Sequence, residues 1–288
     1  MGGQARTEND YHTAVGRIRS ASLPGVRIAR FSVETGSFGY GVVEGDAGRE
    51  VVSALHAHPL LEPVRFTGER YPLAEVTLGA PVVPSKVVCI GKNYAEHVKE
   101  MQELTGAAES PDAPLLFLKP STAVVGPGAP IVHPPDSVRV DYEGELAVVI
   151  GRVTRRVPAE TILDNVFGYT CANDVTARDQ QRSDGQWTRG KGHDTFCPLG
   201  PWIETELEPA KTRVTTKLDG ATVQDAPTAD LIHDVPSLLA YISDVMTLLP
   251  GDVVLTGTPA GVGAMTPGQV VAVSVEGIGT LVNPVVAA

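Results

Sequence analysis

Two glutamates separated by a single glycine, Glu143 and Glu145 in VDYEGELAVVIG, head a run that turns apolar at once. Residues two apart on a β-strand project from the same face, so both carboxylates would share a face with Ala147 and Val149. Like charges that close on an apolar surface are unfavourable unless water or a cation neutralises them. A second apolar run, VFGYTCAN, ends in Asp174. If the three carboxylates converge they suit a hard divalent cation, Mg²⁺ or Mn²⁺, with coordination positions left for water and substrate oxygens. On spacing alone each piece also has a plainer reading. An isolated ExE is commonest where a strand emerges into solvent, and an aspartate at a strand end often serves a turn or a helix cap.

Three further stretches carry groups that could work beside such a cation. In GKNYAEHVKEM a helix started by Asn93 places His97 and Glu100 three apart on one face, where the carboxylate can orient the imidazole as a general base for water. The charges of Lys92, Glu96 and Lys99 leave a solvated helix face as the bland alternative. In WTRGKGHDTFCPLGP, Lys191 lies between two glycines and could hold a carboxylate as a point charge, although most lysines in such settings are simply exposed. In VVLTGTPAGVG a strand runs into a glycine-rich loop with Thr256 and Thr258, which offers hydroxyls and backbone N–H groups. The GxxxxGK[ST] pattern of a phosphate-binding loop is absent.

The elements that must position these groups are mostly strands. PLLFLKP, APIVHP, EGELAVVIG, VFGYTCANDV, VVLTG, QVVAVSVEG and GTLVNPV read as strands. One helix interrupts them: Leu238, Leu239, Ile242, Val245, Met246 and Leu249 recur at helical spacing, with Asp234 and Pro236 at the start and Pro250-Gly251 at the end. Before them, residues 26–84 alternate short strand-like pieces with glycine-rich turns and form a small N-terminal α/β module. Residues 1–25 read as a peripheral leader, and 85–288 as the second, larger domain. The expected class is β-rich α+β, and without βαβ repeats a Rossmann or TIM-barrel architecture is disfavoured.

Bulk properties narrow the partners. With 288 residues the chain can bury a substantial core, and a net charge of −11 provides no basic stripe for nucleic acid. Neither a membrane-length apolar run nor a signal-peptide core is present, so a soluble cytoplasmic protein is expected. Cys89, Cys171 and Cys197 show no CxxC spacing and fit idle thiols in a reducing compartment.

No single signal is strong, but their order is specific. IGKNYAEHVKEM, LFLKPSTAVVGPG, VDYEGELAVVIG, GYTCANDVTARDQQ, KGHDTFCPLGP and LTGTPAGVG, in that sequence, resemble the fumarylacetoacetate hydrolase superfamily over roughly residues 84–284. The layout is similar to long bacterial members called 2-hydroxyhepta-2,4-diene-1,7-dioate isomerases; acylpyruvases and oxaloacetate decarboxylases share the motifs. The resemblance implies a mixed β-sandwich roll, usually a homodimer, with Glu143, Glu145 and Asp174 binding one Mg²⁺ or Mn²⁺. It implies a His97–Glu100 dyad on a short lid helix, Lys191 near the metal, and substrate contacts from Gln181, Thr258 and, more loosely, Arg178. The implied substrate is a pyruvate-type 2-keto acid. The complete dyad favours C–C hydrolysis of an acylpyruvate over isomerisation or decarboxylation, and a non-catalytic keto-acid binder would have lost the dyad or a ligand. His193 departs from the pattern, standing where many members carry an apolar residue, which leaves the identity of the substrate open.

Overall fold

The structure, a computed structural model, describes residues 25–33, 37–105 and 112–288. The expected leader therefore lies outside the described residues, apart from Gly25. Twelve strands form the main sheet. Across its centre run Cys197–Glu204, Val166–Asn173, Gly144–Ile150, Val253–Leu255, Val87–Gly91 and, at the edge, Leu115–Lys119. Val253–Leu255 and Val87–Gly91 are parallel, whereas Gly144–Ile150 is antiparallel to both its neighbours, so the sheet is mixed. A five-stranded sheet (Ala221–Pro227, Arg213–Leu218, Val270–Val275, Gly279–Ala287, Ile131–His133) packs against it. A three-stranded sheet of Thr176–Ala177, Val140–Tyr142 and Gly263–Met265 completes the roll.

Strand Gly144–Ile150 is buried along its whole length because both its faces are covered. Leu146, Val148 and Ile150 pack with Val214 and Val273 of the five-stranded sheet, while Ala147 and Val149 face a second core with Val87 and Val253. Such a strand reads as a continuous apolar run rather than an alternation. The helix Val235–Val245 covers the first core with Leu238, Leu239 and Ile242, each worth about 2 kcal/mol when buried. Asp234 caps it by accepting from Ser237 N, at 2.9 Å. The helix ends before the apolar spacing does. Met246 turns extended, and Leu248 is captured by a two-way backbone bridge with Thr154, both bonds 2.9 Å. No described helix is long and apolar enough to cross a membrane.

The N-terminal segment differs from the α/β expectation. Among the described residues of 25–84 there are strands and one 3₁₀ turn, Leu73–Glu75, but no α-helix. Arg27–Ser32 pairs with Cys197–Glu204, so these strands extend the main sheet, and among the described residues they form no separate sheet. His58 helps fasten the segment to the body. Its ring lies between Tyr40 and Phe167, with Nδ1 accepting from Leu60 N at 2.9 Å. Burial lowers its pKa from 6.5 to about 4, which the Pro81 carbonyl offsets only in part. The unfolded chain therefore takes up this proton first as pH falls. The stability it withholds is intact above about 6.5 and drains away down to about 4. Between pH 7 and pH 5 wild type should lose about 2 kcal/mol more unfolding free energy than His58→Gln, measured by denaturant titration at each pH.

Candidate active site

Several chain segments meet at one end of the main sheet. The parallel strands Val87–Gly91 and Val253–Leu255 both end there, Gly144–Ile150 begins there, and Val166–Asn173 ends beside it, with Gly144 opposite Asn173. Glu143 occupies the single residue between Val140–Tyr142 of the three-stranded sheet and Gly144–Ile150 of the main sheet. Its backbone is held by both neighbours: its N–H donates to Asn173 Oδ1 at 2.9 Å and its carbonyl accepts from Asp174 N at 2.8 Å.

Gly144 is there for packing. A Cβ at this position would run into Thr216 Oγ1 and come within 3.2 Å of Val273 Cγ1. The absent side chain thus lets the five-stranded sheet press directly beneath the glutamate pair. Gly144→Ala should cost about 2–3 kcal/mol of stability. Thr216→Ala in the same chain should restore most of it, because the buried Thr216 hydroxyl has no hydrogen-bond partner to lose. Thermal melts of the single and double variants are the check.

The carboxylates converge. Glu143, Glu145 and Asp174 are all buried, each offering an oxygen within 4.8 Å of the others. Lys191, which is buried, sends its ammonium to Glu143 Oε2 at 2.7 Å and to Asp174 Oδ2 at 2.6 Å. It comes from the short helix Thr188–Gly192. The close backbone approach permitted by Gly190 is to Gln181 of the preceding helix, Arg178–Ser183, with Gln181 N 2.7 Å from a would-be Cβ. Burial raises the Glu143 pKa, but the Lys191 ammonium and then the Arg178 guanidinium more than reverse it and hold the carboxyl well below the usual range. Glu145 goes the other way. Burial first, then the charges of Asp174 and Glu143, push it well above the usual range, with one bond from Gly257 N at 2.5 Å acting against them.

Behind the triad stands Lys119, buried at the end of strand Leu115–Lys119. Its Nζ lies 2.8 Å from Asp174 Oδ1. Yet its three protons go to the carbonyls of Val175, Lys191 and Phe196, at 2.9, 2.6 and 2.8 Å. The contact with Asp174 is therefore electrostatic, and the buried Oδ1 receives no hydrogen bond. A buried carboxylate oxygen without a donor, beside a glutamate forced towards neutrality by its neighbours, is an arrangement that a divalent cation completes. The donor set, all oxygen and no thiolate or imidazole, fits Mg²⁺ or Mn²⁺.

The loop after Val253–Leu255 ties everything together. Thr256 O accepts from Asn93 Nδ2 at 2.8 Å, and Thr258 Oγ1 donates to Gly144 O at 2.9 Å while accepting from Gln224 Nε2 at 2.8 Å. Gly261 N lies 3.0 and 3.1 Å from the two Glu100 oxygens. Glu100 in turn meets His97 Nδ1 at 3.2 Å, and the pair rides on the helix Ala95–Thr105. His97 is close enough to contribute to lowering Glu143. Asn93 does not cap this helix. Its amide also accepts from His233 N and donates to His233 O, at 2.8 and 3.0 Å, and the helix begins two residues later.

Arg178 is buried, with Nε on Asp141 at 2.9 Å, Nη1 on Gln181 Oε1 at 2.8 Å and Nη2 on Glu143 at 2.5 Å. In this structure it positions those groups. A cavity of about 360 Å³ opens over the triad, and Gln181, Lys191 and Thr258 line it together with Phe117, Trp187 and Arg182. His193 faces away, bonded to Gln180 Oε1 at 2.6 Å and packed on Phe196. A larger cleft of about 940 Å³ lies between residues 205–210 and the start of helix Val235–Val245, but it gathers no comparable set of charged groups. Lys119, Gln224 and Asp141 escaped the sequence reading. Only Lys119 left a signal, as a charge closing the apolar run LLFL.

Residues 86–286 match the fumarylacetoacetate (FAA) hydrolase C-terminal family. The chain belongs to the fumarylacetoacetate hydrolase family. Residues 26–81 match a second family, Rv2993c-like N-terminal. Protein Rv2993c of Mycobacterium tuberculosis is 50% identical over 275 residues, covering 94% of this chain and 97% of its own. The human mitochondrial oxaloacetate tautomerase FAHD2A is 40% identical, over 75% of this chain and 71% of its own length. The 2-hydroxyhepta-2,4-diene-1,7-dioate isomerase of Mycobacterium marinum superposes with a TM-score of 0.83 at 48% identity, covering 91% of this chain and 98% of that one. Maleylpyruvate hydrolase of Sphingobium sp. SYK-6, solved with manganese(II) and pyruvate, gives 0.73 at 32% identity, covering 91% and 99%. Family members thus include isomerases, tautomerases and hydrolases, and this chain is a fumarylacetoacetate hydrolase-superfamily enzyme with a candidate acidic metal site.

Proposed function

We propose that this enzyme depends on a divalent metal, acts on pyruvate-type 2-keto acids and hydrolyses a C–C bond of an acylpyruvate. The observation that carries the reading is the intact His97–Glu100 pair, anchored through Gly261 to the loop that also binds Glu145. A related hydrolase that holds manganese and pyruvate supports the choice of cation and head group. Mg²⁺ or Mn²⁺ held by Glu143, Glu145 and Asp174 supplies Lewis-acid stabilisation of the negative charge that develops on the keto oxygen.

The chain's own residues do the rest. His97, oriented by Glu100, takes a proton from water, and the resulting hydroxide adds to the distal carbonyl. The bond between that carbonyl carbon and C3 breaks, its electron pair staying on C3 as the enolate of pyruvate, which then takes a proton. Lys191 offers its ammonium to the head-group carboxylate. Gln181 and Thr258 orient the chain, and Arg178 keeps Glu143 and Gln181 in place. The enzyme works as a homodimer, which light scattering on the purified protein would verify.

A second reading has support in the isomerase and tautomerase names among the relatives. The same enolate forms by proton transfer alone, without water attack. Product analysis by NMR separates the two readings. With Mg²⁺ and a simple acylpyruvate, pyruvate and the free acid should appear, and EDTA should stop them. Intact substrate beside rapid keto–enol exchange of oxaloacetate would reject hydrolysis in favour of the second reading.

A further inference from the structure

The cavity over the triad is zoned. Its floor carries the carboxylates and Lys191; its wall is apolar, made by Ile90, Met101, Phe117 and Trp187; its rim carries two more cations, Lys92 and Arg182. Phe117 and Trp187 meet edge to face, ring centroids 5.1 Å apart at 71°, which fixes the wall. Arg182 lies four residues after Arg178 on the same helix, hence on the same face and about 6 Å further along the axis. Arg178 reaches inward to Glu143, whereas Arg182 is exposed at the opening. Nearby Arg189 is held by Asp184, with two contacts of 2.7 Å. Among the described residues, no carboxylate lies within ion-pair distance of Arg182.

We propose that Arg182 is a specificity-determining residue that recognises a second carboxylate on the substrate, three to four carbons beyond the keto group. The proposal rests on the keto-acid reading above and adds to it a selection: dianionic 2-keto acids over monoanionic ones of equal length. An anionic head belongs over the cation-binding floor, an apolar middle along Phe117 and Trp187, and an anionic tail at the rim. A guanidinium can grip that tail with two parallel hydrogen bonds.

The test is equilibrium binding, which needs no turnover. Calorimetry on the full-length, Mn²⁺-loaded protein would compare 2-oxoadipate with 2-oxohexanoate, six-carbon keto acids that differ in the terminal carboxylate. One partly solvated ion pair should make the dianion bind about fivefold tighter. In Arg182→Gln, an exposed and well-tolerated change, the ratio should fall to about one. Equal affinities in wild type, or a preference that survives in Arg182→Gln, would overturn the role of Arg182 and leave the keto-acid reading standing. If neither compound binds, the keto-acid reading itself falls, and the distal subsite with it.

Discussion

Glu145→Gln is expected to remove metal-dependent turnover while leaving the metal-free protein as stable as wild type or more so. Glu145 is buried against Asp174 and Glu143 and is already driven towards its neutral form. A neutral amide resembles that form closely, and its oxygen can still accept from Gly257 N. Removing one of three crowded carboxylates relieves repulsion that Lys191, bonded to Glu143 and Asp174 rather than to Glu145, offsets only in part without the metal, so the melting temperature in EDTA should hold or rise. Turnover should fall by about a thousandfold, because the charge developing on the keto oxygen loses its stabilisation. Manganese titration followed by electron paramagnetic resonance should show affinity weakened by at least about tenfold. The wild-type rise in melting temperature on adding Mn²⁺ should shrink in parallel. Full activity and unchanged Mn²⁺ binding in the variant would reject the triad as the cation site. The contrast between the two readouts matters because damage to the fold would lower both.

His97→Ala should lower hydrolysis of an acylpyruvate by about 10²- to 10⁴-fold, the usual yield of a positioned general base. Enolate formation from oxaloacetate by loss of CO₂ needs no activated water and should fall by less than about tenfold. The split between the two reactions is the informative quantity. Equal losses would mean that His97 moves a proton on the substrate itself, as a tautomerase requires. The fold should survive, since the helix is tied down by Glu100 on Gly261 and not by the imidazole. Glu100 is the poorer probe for that reason: replacing it frees both the histidine and the loop.

The sequence spoke most clearly where one residue type had one job. The apolar run after Glu145 reads as a strand from sequence, and the structure buries it on both faces. Order along the chain did what spacing could not: six motifs, each weak alone, lie in the structure around one cavity or directly behind it. The hairpin Arg213–Leu218 to Ala221–Pro227 was not anticipated. Its inward positions include Thr216, whose hydroxyl blurs the alternation, yet Asp219-Gly220, both at positive φ, is a hairpin-turn signal that could have been read. Cys197–Glu204 was hidden by Pro198 and Pro201, residues that normally argue against an interior strand. Gln224 and Asp141 could not be found from sequence at all. Each acts through a partner far along the chain, Gln224 on Thr258 and Asp141 on Arg178.

The pairing of Arg27–Ser32 with Cys197–Glu204 has a consequence during synthesis. The bond from Val26 N to Thr205 Oγ1 spans 179 residues, so the first strands leave the ribosome long before their neighbour in the sheet exists. Until then only the Arg27–Ile28 end of that edge waits with bare donors and acceptors, open to another nascent chain, because the Arg30–Ser32 end pairs with Thr77–Gly79. Closing so long a loop is slow compared with forming the local hairpin of Arg27–Ser32 with Gly39–Glu44. The longer that short end stays unpaired the lower the expected yield in a cell, and a chaperone that shields apolar segments should raise it without altering the finished enzyme.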